Sequence, residues 1–178
     1  MEYPSVTQVL SPFAQYANIP PEVLKRAVSR GNYVHAAAVG IAMKLFIPPP
    51  PPEYAGYIRS LEWWFTHFVD EVLLVEEEIV DPVLGYMGHP DLVVVSRVLG
   101  GVILVDHKTP LQLHRTWASQ MAGYRRLVEV PRGIPVDRLG SLRLSKDGKP
   151  PRFQDYTNDP AAFAAFYAAL QAWKFFNS

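Results

Sequence analysis

The amino-acid sequence predicts a mixed α/β (α+β) domain in which a central mixed sheet is flanked by helices. Three observations predict this fold class. Strand-like segments are grouped in the middle of the chain, helical segments precede and follow them, and two strands are apolar on both faces, as strands beneath helices are. With 178 residues, of which 49% are hydrophobic, the chain suits one domain over residues 1–178.

Helical spacing of apolar residues predicts the elements outside the sheet. Arg30-Gly31 is expected to break one helical segment into two. Five prolines at residues 48–52 predict a stiff polyproline II loop on the surface, which is not a domain boundary because the strands need helices from both sides of it. The predicted helices cover residues 4–10, 20–29, 32–46, 54–70, 116–128 and 161–175.

The strand segments are expected to pair as hairpins. Gly100-Gly101 predicts the turn of one hairpin and Asp147-Gly148 the turn of another. The predicted strands cover residues 72–80, 86–95, 102–106, 139–145 and 152–156.

Composition excludes several classes of protein and site. The chain has no cysteine, so disulfides, thiolate zinc sites and cysteine-held iron–sulfur clusters are excluded, and any metal must bind oxygen or imidazole. No apolar run of about 18 residues and no secretory signal is evident, so we expect no membrane partner and a cytoplasmic location, in a bacterium or, for a viral protein, in the host. Seventeen basic and 17 acidic residues cancel, which argues against non-specific coating of DNA but permits a local basic patch.

Asp106, His107 and Lys108 end a predicted buried strand. Asp106 and Lys108 project from one face while His107 points away, because residues i and i+2 of a strand share a face. Asp106 and the His107 main-chain carbonyl could hold Mg²⁺, with Lys108 orienting or deprotonating a water or stabilising charge on a phosphate. The alternative is a strand-end salt bridge, which is the commoner case for so short a motif.

Asp91 adds a second carboxylate, on the strand expected to pair with the Asp106 strand. A two-residue turn at Gly100-Gly101 would place Asp106 opposite Val95, and Asp91 about 13 Å away along the ladder. We therefore predict that a bulge, a bend at the proline before Asp91, or a turn nearer Val98-Leu99 brings the two carboxylates together. The alternative role for Asp91 is to cap a turn.

Four further residues are candidates for the same site. His35 lies among alanines on a helix, and imidazole is a good ligand for Mn²⁺, although a lone histidine on a helix is more often structural. Glu78 lies on the predicted strand before the one that Asp91 enters. The run of three acidic residues at 76–78 is, however, also typical of a solvated surface. Gln120 and Tyr124 share a helix face and could hydrogen-bond a DNA strand, or they could be an ordinary pair on the helix surface.

In this order, these residues resemble the PD-(D/E)xK nuclease superfamily. The similarity is to its RecB-like branch, with phage and mitochondrial single-strand exonucleases, and it implies a restriction-endonuclease-like core. It covers residues 3–124 and, weakly, the closing hairpin and helix. The matching motifs are Tyr3-Pro4-Ser5-Val6-Thr7, Arg30-Gly31 leading to His35, Gly88 to Asp91, Asp106 to Lys108, and Gln120 to Tyr124.

The resemblance implies a role for each matching residue. Mg²⁺ or Mn²⁺ would be the cofactor, without an iron–sulfur cluster. The implied metal ligands are His35, Asp91, Asp106 and the His107 carbonyl, with Glu78 as a further acidic position. The implied catalytic residues are Lys108, Asp106 and Asp91, and the implied substrate-binding residues are Gln120, Tyr124, Arg30, Ser5 and Thr7.

The implied function is metal-dependent hydrolysis of phosphodiester bonds at DNA ends, in replication, recombination or repair. The partner would be DNA that is single-stranded or has free ends, and unwinding would need a separate protein. Two alternatives stay open: a non-catalytic nucleic-acid-binding subunit on the same fold, and a restriction-type endonuclease. The sequence predicts neither an oligomeric state nor the polarity of cleavage.

Overall fold

Strand β5, Gly101–Lys108, lies at the centre of a five-stranded sheet in the computed structural model, which describes residues 3–14, 19–109 and 113–177. The sheet order is β1-β4-β5-β6-β7, and β2 and β3 form a separate two-stranded sheet. Strands β5 and β6 are parallel, and the other neighbours in the large sheet are antiparallel. The other strands are β1 Glu71–Val75, β2 Ile79–Asp81, β3 Tyr86–Gly88, β4 Leu92–Ser96, β6 Arg138–Arg143 and β7 Arg152–Asp155.

Helices cover both faces of the large sheet. One hydrophobic cluster joins Leu104 of β5 to residues of α1, α4 and α5, and a second joins Ile103 and Val105 to residues of α2 and α3. Most residues of the central strands β4 and β5 are buried because each face of the sheet has its own apolar layer, and each large apolar side chain contributes about 1.5–3 kcal/mol on burial. The helices are α1 Val6–Leu10, α2 Pro21–Ala42, α3 Ala55–Phe68, α4 Thr116–Glu129 and α5 Pro160–Phe176.

The predicted fold class is confirmed. A central mixed sheet is flanked by helices, and at this coarse level the arrangement agrees with a restriction-endonuclease-like core. The closing hairpin is also present as β6 and β7. The proline segment leads into α3 without regular secondary structure over residues 45–51. Within the described part of the chain, no helix is both long and apolar enough to cross a membrane.

The predicted helix break at Arg30-Gly31 is wrong. Helix α2 is continuous over 22 residues and passes through both positions. A glycine inside a helix costs only about 1 kcal/mol relative to alanine. Val34, Ala37 and Ala38 lie on the side of α2 that faces the sheet, and their burial outweighs that cost.

Two predicted strands are each divided into shorter ones. The 72–80 segment ends its pairing with the large sheet at Val75, and β2 begins at Ile79 in the small sheet. The 86–95 segment is interrupted over residues 89–91, between β3 and β4. Glu76 has a positive φ of 45°, and Pro90 has no N–H to donate to a ladder, so neither position continues a strand.

Alanine at two helix glycines should have opposite effects on stability. Gly31→Ala should stabilise the protein by about 0.8–1 kcal/mol, because a Cβ there has no neighbour within 4 Å and α2 is continuous. Gly56→Ala should destabilise it by about 1–3 kcal/mol, since its Cβ would overlap the main-chain carbonyl of Lys146. Urea unfolding of both variants measures these changes, and a destabilising Gly31→Ala would contradict the continuous helix.

Candidate active site

Three neighbouring strands place acidic residues at one end of the large sheet. Val75 pairs with Leu92, so Glu76 and Asp91 follow side by side, and the Glu76 amide donates to the Asp91 carbonyl at 3.1 Å. Leu92 in turn pairs with Val105, which places Asp91 beside Asp106. The sheet therefore aligns three carboxylates that are distant in the sequence.

The β4–β5 turn settles how Asp91 reaches Asp106. Val95 pairs with Val102 and Ser96 with Gly101, so the turn is centred on Val98-Leu99. This is one of the three arrangements predicted from the sequence. The expected two-residue turn at Gly100-Gly101 is wrong, because Gly101 already belongs to β5 and the Gly100 amide donates to the Ser96 carbonyl at 2.9 Å.

A bulge in β1 decides which residue lies beside Asp91. The register shifts by one residue between Val72, which pairs with Val94, and Leu74, which pairs with Val93. Without that extra residue, Val75 would lie beside Asp91. The bulge therefore brings Glu76 to the site in its place.

His35 completes a group of three possible metal ligands with Glu76 and Asp91. Its Nδ1 lies 2.8 Å from Glu76 Oε1 and 3.5 Å from Asp91 Oδ2, and one donor atom from each residue lies within 4.8 Å of the others. Ala36, Ala37 and Ala38 beside His35 keep this part of α2 small. The continuous helix α2 thus carries an imidazole to the end of the sheet.

The charges at this end of the sheet shift the pKa values of His35 and Asp91. Burial alone would lower the pKa of His35, but the hydrogen bond to Glu76 and the charges of Asp91 and Asp106 raise it to about 9. Burial would raise the pKa of Asp91, yet contacts with His107 and the charge of His35 hold it below its usual value. Without a metal ion, His35 therefore carries the proton that balances the acids.

Lys108 is the centre of a second group, one strand away. Its Nζ lies 2.7 Å from Asp106 Oδ2 and donates to Gln120 Oε1 at 3.3 Å. The Gln120 amide donates to Asp106 Oδ1 at 3.2 Å and to the Tyr124 hydroxyl at 3.4 Å. Burial and the Asp91 charge raise the pKa of Asp106, while Lys108 opposes that shift. Lys108 Nζ also lies 5.4 Å from the centre of the Trp117 ring.

The two groups meet at Asp91 and His107. The His107 amide donates to Asp91 Oδ2 at 2.7 Å, and its ring, on the opposite face from Asp106 as predicted, is buried 6.0 Å from the His35 ring. Asp106 is engaged with Lys108 and Gln120 and lies outside the three-residue ligand group. Metal binding by Asp106 and by the His107 carbonyl stays a prediction.

The remaining predicted residues lie at different distances from these groups. Arg30 donates to the Thr109 hydroxyl at 2.9 Å, directly after β5. Thr7 lines a cavity of about 200 Å³ together with Lys108 and Gln120. Ser5 caps α1, since its hydroxyl accepts from the Gln8 amide at 3.1 Å.

Glu78 is not brought to the ligand group. Its carboxylate is exposed and lies 3.4 Å from His89 Nε2. Glu76 occupies the position expected for Glu78. The consecutive acids of residues 76–78 and their alternation offered a signal for Glu76, but the end of the strand and its bulge decide between the two.

The donor set fits a divalent cation. Ligand atoms held at right angles by bonds of about 2.1 Å lie about 3 Å apart, close to the distances of 2.8 and 3.5 Å from His35 Nδ1 to the two carboxylates. One imidazole with carboxylates suits Mn²⁺ better than Mg²⁺, which prefers oxygen ligands only. His35, Glu76 and Asp91 would hold such an ion, with Asp106 on the adjacent strand.

Comparison with known proteins identifies no family. No protein-family model matches the chain, and no curated protein matches it significantly in sequence. Similarity to the PD-(D/E)xK nucleases therefore stays a prediction that rests on the residues described above.

Replacing Glu76 and Glu78 one at a time should show which of the two acids contributes to metal binding. Glu76→Gln should weaken Mn²⁺ binding by more than about tenfold, because it removes a charged donor beside His35. Glu78→Gln, at an exposed position on His89, should leave affinity unchanged. Titration calorimetry measures both, and equal affinities in the two variants would exclude Glu76 as a ligand.

The ion pair between His35 and Glu76 should also make the stability of the protein depend on pH in the absence of metal. Because the folded-state pKa of about 9 exceeds the unfolded value of 6.5, the His35 contribution is complete below pH 6.5 and is lost as pH rises through 9. Thermal unfolding with a chelator, for wild type and His35→Gln, should show a difference that shrinks over this interval. A difference that grows with pH would contradict it.

Proposed function

We propose that this protein is a metal-dependent deoxyribonuclease that hydrolyses phosphodiester bonds at DNA ends. One observation carries the proposal: a group of possible metal ligands and an ammonium group lie side by side at one end of the sheet. Glu76, Asp91 and His35 form the first, and Lys108 with Asp106 forms the second. Work in replication, recombination or repair, in the cytoplasm, follows from the same proposal.

The two groups divide the chemistry between them. A divalent cation bound by the first group would supply a Lewis acid for a phosphate oxygen. Lys108 donates to Asp106 and to the Gln120 amide oxygen, as an ammonium does, which favours charge stabilisation over proton abstraction. Asp106 and Gln120 thus orient the Lys108 nitrogen, which would lie beside a phosphate bound to the ion.

The acidic character of the site supports a dependence on metal. Glu76, Asp91 and Asp106 would repel a phosphate, and two of these three carboxylates are almost completely buried. A bound cation reverses that local charge. Arg30, on Thr109 at the end of β5, adds a cation on the α2 side. Substrate phosphate is therefore expected to bind together with the ion.

Cleavage of labelled DNA tests the proposal. Wild-type protein should degrade an end-labelled single strand with Mn²⁺ or Mg²⁺ and lose this activity with a chelator. Lys108→Ala should reduce the rate by about 10²–10³-fold, as expected for loss of a group that stabilises charge in the transition state. Absence of metal-dependent cleavage on any single- or double-stranded DNA would overturn the proposal.

A matched variant and a second substrate complete the assay. Lys44→Ala removes an exposed lysine after the end of α2 and should leave the rate unchanged. Circular single-stranded DNA has no ends, so it should resist the enzyme, and its cleavage would favour the restriction-type endonuclease. If the protein binds DNA but neither cleaves it nor binds metal, the result would favour a non-catalytic subunit.

A further inference from the structure

Three basic side chains form a row across the sheet beside the candidate site. Lys108 pairs with Arg143 of β6, and Arg143 pairs with Arg152 of β7. Paired positions on neighbouring strands carry their side chains on the same face. Lys108 shares its face with Leu104, which packs against α4 and α5, so this basic row lies on that side of the sheet.

From β5, the basic row extends towards one edge of the sheet and the acidic residues extend towards the other. The carboxylates Asp91 and Glu76 lie just before β4 and just after β1, whereas the arginines lie on β6 and β7. Strand β7 is the outer strand of the sheet, and Arg152 is exposed there. The basic row therefore leads from solvent at the sheet edge to Lys108.

The row concentrates cations in one part of a chain whose net charge is zero. Like charges directly opposite each other on neighbouring strands repel, and the Asp106 carboxylate, 2.7 Å from Lys108, offsets part of that repulsion. A ligand with successive negative charges is the class of ligand that such a row suits.

Tyr156 follows β7, and the alternation of side chains along the strand places it on the same face as Arg152. Burial and the Asp106 charge raise the pKa of its phenol, while the charges of Lys108 and Arg143 act against that shift. Tyr156 also lines a cavity of about 550 Å³ with His114, Arg115 and Asp159, next to the start of α4. One further arginine, Arg115, therefore lies on this side of the sheet.

We propose that the basic row binds the phosphate backbone of a single-stranded DNA segment next to the phosphate being cleaved. This inference rests on the proposed function. Three neighbouring strands span about 10 Å, enough for about two to three phosphates. Asp91 and Asp106 are 5% and 1% exposed, a recessed position that a flexible single strand reaches more easily than a rigid duplex.

The salt dependence of DNA binding tests the basic row directly. Each phosphate contact to a single strand contributes about 0.7 to the slope of log affinity against log salt. Arg152→Gln should lower the magnitude of the slope by about 0.7, and Arg143→Gln with Arg152→Gln by about 1.4. Fluorescence anisotropy with a labelled 15-nucleotide thymidine strand and a chelator measures binding without cleavage.

Two control variants distinguish local contacts from total charge and from unfolding. Arg97→Gln removes one exposed cation at the opposite end of β4 and should leave the slope unchanged. Arg143→Lys keeps the charge at a half-buried position and should keep the slope. Thermal unfolding of each variant identifies any loss of fold.

The outcomes separate this inference from the proposed function. If Arg152→Gln has the same slope as wild type and Arg97→Gln, the basic row does not bind DNA, whether or not the protein cleaves it. If the slope falls as expected but wild type cleaves nothing with Mn²⁺, the row stands and the nuclease proposal fails. An equal fall with Arg97→Gln would overturn the basic row, since only total charge would then matter.

Discussion

The hydrogen bond from the His107 amide to the Asp91 carboxylate, at 2.7 Å, is the interaction on which the site depends. It forms only because the β4–β5 register places Asp91 beside Asp106. A slip of one residue would exchange the faces of every side chain in a strand. The same register that buries the apolar layers on both faces therefore also assembles the site, and stability and function share one constraint.

Charge balance follows from that register. Three carboxylates lie close together, and burial acts to raise the pKa of two of them, Asp91 and Asp106. Lys108 and protonated His35 supply the compensating charges. The proton on His35 balances part of this charge when no ion is bound, and a bound cation would take its place, because the same Nδ1 atom faces both carboxylates. Removing a single partner would leave an uncompensated buried charge, which is costly.

The sequence predicted the fold class and most of the site's members because those depend on periodicity and on side-chain chemistry. It identified His35, Asp91, Asp106, Lys108 and Gln120, which the structure brings together in two adjacent groups. Three features were beyond it: the continuous helix at Gly31, the bulge in β1 and the division of two strands. Each depends on tertiary packing that overrides local preference. The choice of Glu76 over Glu78 depended on the bulge, and a one-residue insertion leaves no periodic signal.

The left-handed backbone at Glu76 has a consequence for how this chain can vary. For a residue other than glycine, that conformation costs about 1–2 kcal/mol. Asparagine or glycine would relieve the cost but would remove the carboxylate that faces His35. If Glu76 binds an ion as proposed, position 76 is subject to a stability–activity trade-off, in which the residue best for folding differs from the one best for coordination. Stabilising substitutions selected without regard to chemistry would be expected to accumulate at this position first.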